Sequence, residues 1–272
     1  MMRSLWTAAS GMIGQQQNVD TISNNLANVN TFGYKKERME FKTLLYETIA
    51  RADLDPSNQT GRPVNLQIGL GVRPIATARI FSQGNLERTD NTNDVAIEGD
   101  GFFTVHRGGG NFLYTKDGAM KVSVSDSGGM LVTSEGYPYL GLDDQPLIIP
   151  SNVAIKDLSI NESGQLSYLD GSGQYQDLGL QIKLVQFPNP QGLEAVGSNL
   201  LQMNSASGAP LVEADGETNR TSRLRQGVLE MSNVQVAEEM VNLIVAQRAY
   251  DINSKAITSS DEMLQTANNL KR

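Results

Sequence analysis

Near its C-terminus the chain carries apolar residues at a strict spacing of seven, and this repeat limits the possible folds more than any other feature. The repeated residues are Val236, Leu243, Tyr250, Ile257 and Leu264. On an α-helix this spacing forms one apolar stripe, which other helices must cover by winding around it in a left-handed supercoil. The last glycine is Gly227 and the last proline is Pro210, so no helix breaker interrupts the repeat. The sequence therefore predicts a helix over residues 232–269, roughly 57 Å long, that needs helical partners.

The ends and the second position of this predicted helix carry further signals. Ser232 and Gln235 have the spacing of a capping box. An acidic first turn and a basic end suit the helix macrodipole, and they are formed by Glu238, Glu239, Lys271 and Arg272. The next position of the repeat is weakly apolar and holds Met240, Gln247, Ser254 and Asp261. Because this second position is weak, the helix offers only half of an apolar interface. Glu239 lies off the stripe and is expected to be exposed.

The N-terminal segment, residues 2–29, has the same period. Leu5, Met12, Val19 and Leu26 are seven residues apart, with Ala8, Gln15, Ile22 and Val29 between them. Amide side chains crowd this segment, and amides buried between helices form hydrogen bonds that fix the register. Two helices of one period at opposite ends of a chain are expected to pack together, and Gly33 marks the predicted end of the first.

Two segments follow before the centre of the chain. Residues 36–52 carry apolar side chains on one face of a helical projection, which predicts a second, shorter helix. Residues 53–71 include Asp55-Pro56-Ser57-Asn58 and predict either an extended linker with little packing or an ordinary surface loop. Both interpretations of that segment stay open.

The centre of the chain is rich in turns. All nine prolines and most of the 26 glycines lie between residues 56 and 227. Short β-branched and aromatic runs alternate there with turn signals such as Asp126-Ser127-Gly128-Gly129. The predicted fold class is α+β, with terminal helices forming a coiled-coil layer and a central antiparallel β-domain of sandwich or barrel type. The predicted domains are residues 1–60, with a linker from about residue 53, then 61–227 and 228–272.

The sequence lacks the residues that most enzymes need. His106 is the only histidine and there is no cysteine, so soft metal sites and histidine-based triads are excluded. Gly108-Gly109-Gly110 lacks the lysine of a phosphate loop, and the pairs Asp143-Asp144 and Glu98/Asp100 lack an aromatic platform. We predict no catalytic residue, no cofactor and no metal.

Charge and hydropathy limit the partners and the route of the chain. A net charge of −8 without a basic run argues against nucleic acid. No stretch of 18 apolar residues is present, and the apolar run after Arg3 is a poor signal peptide because Thr7, Ser10 and Gly11 dilute it. The absence of cysteine fits chance and a place outside the cytoplasm equally well.

Four motifs resemble those of the bacterial flagellar rod and hook family, and together they extend over nearly the whole chain. They are Ser23-Asn24-Asn25-Leu26-Ala27-Asn28-Val29-Asn30-Thr31-Phe32-Gly33-Tyr34-Lys35, Ile97-Glu98-Gly99-Asp100-Gly101-Phe102-Phe103, Tyr114-Thr115-Lys116-Asp117-Gly118, and Met240-Val241-Asn242-Leu243-Ile244 with Gln247-Arg248-Ala249-Tyr250-Asp251-Ile252-Asn253-Ser254-Lys255. Within the family the length and the segment around residues 46–71 favour a subunit of the distal rod. Proximal rod and hook subunits are the alternatives.

The resemblance implies a structural subunit that is exported by the flagellar type III apparatus without a cleaved signal peptide. Such subunits form a hollow helical homopolymer in the basal body, from the periplasm to the outer membrane. The implied partners are other rod proteins, the hook and the bushing rings around the rod. The helices would then form an inner layer in which neighbouring copies cover the apolar stripes. The expected subunit interface is Leu5, Met12, Val19, Ile22, Leu26, Val236, Met240, Leu243, Tyr250, Ile257 and Leu264.

Two different classes compete with this interpretation. A secreted β-domain that binds ligands or acts on carbohydrates leaves both apolar repeats without a role. A self-contained coiled-coil adaptor does not account for the position of the repeats at opposite ends of the chain.

Overall fold

A computed structural model describes residues 2–52, 64–125, 128–151, 153, 155–170, 174–216 and 221–270. The chain divides into two compact units that are discontinuous in sequence. Unit 1 consists of Met1–Ala27, Glu37–Ala78 and Gln235–Arg272, and unit 2 of Asn28–Lys36 and Arg79–Val234. The division predicted from the sequence, into residues 1–60, 61–227 and 228–272, stays a prediction; unit 1 contains the two helical ends that were expected to pack together.

Two long helices, both in unit 1, confirm the main prediction from the repeats. Helix α1 spans Met2–Ala27 and helix α2 spans Val236–Asn269. The predicted capping box is wrong, because α2 begins only after Gln235 and no side chain caps it. Ser232 Oγ instead accepts a hydrogen bond from the Val234 amide, at 3.3 Å. The acidic first turn is confirmed, and Lys271 and Arg272 lie outside the described residues.

The helix predicted for residues 36–52 is wrong. This part of unit 1 forms strands β1 (Glu37–Thr43) and β2 (Tyr46–Ala50). Their partners are distant in sequence: β3 (Leu66–Gly69) pairs antiparallel with β2, and β4 (Val72–Arg79) lies beside β1. Because pairing with distant strands decides the conformation here, a short helical pattern was a weak guide. Of the segment predicted as linker or loop, residues 53–63 lie outside the described residues, and part of the remainder forms β3.

Unit 2 holds sixteen described strands and confirms a central antiparallel β-rich domain. They are β5 (Leu86–Arg88), β6 (Val95–Glu98), β7 (Phe102–His106), β8 (Phe112–Thr115), β9 (Lys121–Ser125), β10 (Gly128–Val132), β11 (Ile148–Ile149), β12 (Leu158–Ile160), β13 (Gln165–Leu169), β14 (Tyr175–Gln181), β15 (Leu184–Gln186), β16 (Glu194–Gly197), β17 (Leu200–Gln202), β18 (Leu211–Val212), β19 (Arg223–Gln226) and β20 (Val228–Glu230).

The strands of unit 2 form several small sheets. The largest has six strands in the order β16-β17-β8-β7-β15-β18. Two three-stranded sheets have the orders β11-β10-β9 and β12-β13-β14, and two pairs join β19 to β6 and β20 to β5. The predicted hairpin pairing of β9 with β10 is confirmed, although turn residues 126 and 127 lie outside the described part of the chain.

The core of unit 2 lies on both faces of β7. Successive residues of a strand point to opposite faces, and Phe102 and Phe103 accordingly join different apolar clusters. Phe103 packs edge-to-face with Tyr139, with ring centroids 5.7 Å apart. Phe102 packs in the same way against Phe81 and Phe187, at 5.5 and 5.8 Å. Strand β7 is therefore the central strand of this unit.

Candidate assembly interface

Helices α1 and α2 pack against each other in an antiparallel arrangement within unit 1. Three contacts at their interface join polar or small residues. Ser4 Oγ lies 3.4 Å from Ser260 Oγ, a Cβ added at Gly11 would lie 2.8 Å from Asn253 Nδ2, and Asn25 Nδ2 donates to Glu239 Oε2 at 3.1 Å. From one contact to the next, the residue on α1 moves one or two heptads toward the C-terminus, and its partner on α2 moves the same number of heptads toward the N-terminus. We call these six residues the polar line.

Glu239 is at the most buried point of the polar line. Its exposed fraction is 1%, as is that of Asn25, so the predicted exposure of Glu239 is wrong. Asn25 also donates to the Glu37 carbonyl at 2.7 Å and accepts from the Glu37 amide at 2.9 Å. The Asn25 side chain therefore joins α1 to both β1 and α2. It can form all of these hydrogen bonds only when α1 and α2 are packed in this register.

The polar line also shows which residues of α2 face α1 besides the heptad stripe. They are Glu239, Ala246, Asn253 and Ser260, three of which are buried and one half-buried. By contrast Met240, Gln247 and Asp261 of the predicted second position are exposed, and Ser254 of the same position is half-buried. By hydropathy the second set is weakly apolar, with Met240 as its one strongly apolar residue. A helix pair that approaches closely at Gly11 instead selects small and hydrogen-bonding residues.

The residues predicted for the subunit interface are covered to different extents by the rest of the chain. Ile22 is buried, and seven residues are half-buried: Leu5, Met12, Val19, Leu26, Leu243, Ile257 and Leu264. Val236, Met240 and Tyr250 are exposed by 47%, 44% and 40%. The helix pair thus covers part of the apolar stripe of α2 and leaves Val236 and Tyr250 of that stripe exposed.

A second apolar stripe runs along the solvent side of α2 and was missed in the sequence. Val241, Ile244, Val245 and Ile252 are exposed by 59%, 53%, 61% and 66%. We call these four residues the outer stripe. Their spacing of three, four and seven residues is itself helical, but it was hidden beside the stricter repeat. On α1, Trp6 and Ile13 are exposed by 73% and 58% and are also seven residues apart.

The hairpin β2–β3 adds more exposed apolar surface to unit 1. Leu45, Tyr46 and Ile49 are exposed by 85%, 57% and 52%, and Leu66 across the hairpin by 49%. Large apolar side chains exposed close together in the chain are candidates for interaction sites. Unit 1 therefore has the properties expected of an assembly surface on both its helices and its hairpin.

Two of the four acidic residues considered for catalysis, Asp144 and Glu98, form ion pairs in unit 2. Asp144 accepts from Lys183 Nζ, and Glu98 contacts Arg225 Nε at 2.8 Å. His106 ends β7 with its ring 6.0 Å from that of Phe112. Among the described residues no group of His, Cys, Asp or Glu side chains is arranged to hold a metal ion. No described helix is long and apolar enough to span a membrane.

The motif that ends at Lys35 meets the motif around Lys116 within unit 2. Gly33 has a φ of +66°, and an added Cβ would lie 2.8 Å from the backbone at Lys116 and Asp117. Only glycine combines that conformation with so close an approach. The Gly33 amide donates to the Glu230 carbonyl at 2.8 Å. Burial, followed by the nearby charge of Lys35, lowers the pKa of Lys116 to about 8.

Comparison with known proteins identifies the family of the chain. Family models match three parts of the chain: "Flagella basal body rod protein" at residues 5–35, "Flagellar hook protein FlgE/F/G D1 domain" at 96–168, and "Flagellar basal body rod FlgEFG protein C-terminal" at 225–270. The flagellar basal-body rod protein FlgG of Borreliella burgdorferi is 50% identical over 273 residues, which cover 100% of both chains. This chain belongs to the flagellar basal-body rod family.

Other relatives of this rod-family chain have the same length. FlgG of Bacillus subtilis is 40% identical over 272 residues and 100% of both chains. Among solved structures, the Helicobacter pylori flagellar hook protein FlgE2 is 16% identical with a TM-score of 0.24. The match covers 72% of this chain but only 35% of that hook protein. The relatives are named as structural rod proteins, which agrees with the prediction that the chain is not an enzyme.

Proposed function

We propose that the chain is a structural subunit of the distal rod of the bacterial flagellum, which polymerises into a hollow helical tube and transmits torque from motor to hook. Full-length similarity to rod proteins named FlgG supports this proposal. The observation that carries it is the outer stripe of α2. Its four apolar side chains are 53–66% exposed in the described part of unit 1.

The two sides of α2 suggest how copies associate. One side packs on α1 through the polar line, which fixes the register within the subunit. The other side carries the outer stripe, which a helix of a second copy would cover and so complete a coiled-coil layer. The exposed part of the predicted interface, Val236, Met240 and Tyr250, would be covered in the same layer. A contact between two different surfaces, repeated by a screw operation, gives an open filament.

Family membership supports the wider setting of this proposal. Rod and hook proteins of the basal body are the expected neighbours at the two ends of the tube. Bushing rings would surround the tube between the periplasm and the outer membrane, and the type III apparatus would export the subunits. No nucleic acid, cofactor or metal is part of the proposal.

The experiment compares two aspartate substitutions on one face of α2. Val245→Asp places a charge within the outer stripe. Ser259→Asp places the same charge two heptads further along the same face, at an exposed polar residue beyond the stripe. Burying a valine contributes about 1.5–3 kcal/mol, so Val245→Asp is expected to raise the concentration needed for tube formation by about 10- to 100-fold or more.

Tube formation is measured by sedimentation and negative-stain electron microscopy of purified protein over a concentration series. Ser259→Asp is expected to form tubes at the concentration that the unmodified chain requires. Far-UV circular dichroism shows that both variants are folded. Equal assembly of the two variants would refute the role of the outer stripe. Leu243 is a poorer probe because it is already half-buried in the subunit.

A further inference from the structure

Three segments without regular secondary structure meet in unit 2, next to three of the four positions at which the chain enters or leaves it. They are residues 33–36, 80–85 and 231–234, which we call the exit segments; Glu230, the last residue of β20, directly precedes the third. Main-chain groups outside helices and strands need other hydrogen-bond partners. In the exit segments these partners come largely from the other two segments.

The Lys35–Glu230 ion pair lies at the centre of this meeting point. Lys35 Nζ donates to Glu230 Oε1 at 2.6 Å and to the Ser82 carbonyl at 2.9 Å. Glu230 Oε1 also accepts from the Gly84 amide at 2.8 Å. The side chains of the pair are exposed by only 3% and 1%. Two side chains therefore join residues 33–36 and 80–85 to Glu230, which directly precedes the third segment, through charge-assisted hydrogen bonds in a nearly solvent-free site.

Asn233 forms a second connection among the same segments. Its Nδ2 donates to the carbonyls of Ile80 and Ser82 at 2.9 and 3.0 Å. Its Oδ1 accepts from the Lys36 amide at 2.7 Å. The Ile80 amide in turn donates to the Lys36 carbonyl at 2.9 Å. Each exit segment is thus bonded to both others.

The ion pair is poorly explained as a contribution to the stability of the core. Glu230 Oε2 is buried without a hydrogen-bond partner among the described residues. A buried pair with an unsatisfied oxygen contributes little net free energy, whereas removal of one charge is costly. What the pair does provide is one fixed arrangement of the exit segments.

We propose that Lys35 and Glu230 form a latch that holds the exit segments together as one bundle. A force applied to unit 2 through one exit segment is then distributed over all three, so it does not separate single strands from their sheets. Opening the latch releases the exit segments while the core around β7 stays folded. The mechanical benefit rests on the proposed function, but the latch itself is a property of the single chain.

The test is hydrogen exchange of the full-length monomer, measured by mass spectrometry. The variant Lys35→Met with Glu230→Gln removes both charges and keeps an acceptor for the Gly84 amide. Lys183→Met with Asp144→Asn is the matched control, because it removes a more exposed ion pair from the same unit. We expect exchange of the exit segments to rise by about tenfold in the first variant only, with β7 unchanged, since local opening differs from global unfolding.

Two results would overturn the latch. One is unchanged exchange in the exit segments of the double variant. The other is equally faster exchange in β7, which would make the pair an ordinary part of the core. A double variant that does not fold counts as the second result, because the proposal requires the core around β7 to stay folded without the pair. Because monomers are measured, the outcome is independent of tube formation.

Discussion

The buried contact between Asn25 and Glu239 leads to the most specific prediction for the helix pair. Replacing Glu239 with alanine removes the acceptor of the Asn25 amide within a nearly solvent-free interface. A hydrogen bond to a charged group contributes about 1.5–3 kcal/mol, and an unsatisfied buried donor costs about 1–3 kcal/mol. The two contributions partly describe the same loss, so they are not added. The alanine variant also avoids the cost of desolvating the Glu239 carboxylate on folding. We therefore expect a loss of about 2 kcal/mol in the free energy of unfolding.

The neighbouring residue provides the control. Glu238 is exposed and lies in the same first turn of α2, so Glu238→Ala removes the same interaction with the helix macrodipole. That interaction contributes about 0.3–1 kcal/mol. Glu239→Gln keeps an acceptor for Asn25 and is expected to recover most of the loss.

The assay is urea unfolding of the three monomeric variants, followed by far-UV circular dichroism because the signal comes mainly from α1 and α2. The expected order of stability places Glu239→Ala clearly below Glu238→Ala and Glu239→Gln. Equal stability of the two alanine variants would refute the conclusion that the polar line sets the helix register.

Further predictions concern the close helix approach and the buried lysine. Gly11→Val should destabilise the helix pair by about 1–3 kcal/mol through overpacking against Asn253. Ser259→Val on the exposed face should change the free energy of unfolding by less than about 0.5 kcal/mol. Urea unfolding measures both variants, and equal effects would contradict the close approach of the helices at Gly11. The pKa of Lys116 is lowered from 10.5 to about 8 by burial and by Lys35, against the opposing charges of Glu230, Asp100 and Glu213. The unfolded chain therefore binds more protons between these values, and the free energy of unfolding should rise by about 3 kcal/mol from pH 8 to 10.5. Lys116→Met should remove this rise. Thermal unfolding of that variant at several pH values is the measurement, and a stability that still rose with pH would contradict the attribution to Lys116.

The repeats at the two ends predicted both helices because an apolar spacing of seven, sustained over several turns, is typical of a helix and of few other structures. Strands β1 and β2 were mistaken for a helix because their partners β3 and β4 lie far along the chain, and a local window contains no information about them. The β-rich character of unit 2 followed from its turns. The order of its sheets did not, since strands such as β8 and β17 pair across many intervening residues.

The polar line was missed for a physical reason. Hydropathy counts reward leucine and methionine, whereas a close helix contact at Gly11 selects serine, asparagine and a hydrogen-bonded glutamate. The signal was nevertheless present, because Glu239, Ala246, Asn253 and Ser260 are also seven residues apart. The Lys35–Glu230 pair had no local signal at all, since its members are separated by 195 positions.

The central claim is that copies associate through the outer stripe of α2. The most direct measurement is electron cryo-microscopy of tubes grown from the purified full-length chain, at a resolution that shows helices. The account predicts a hollow tube in which Val241, Ile244, Val245 and Ile252 of one copy pack against a helix of the next. A tube in which these four side chains face solvent, with other surfaces forming the contacts between copies, would contradict it.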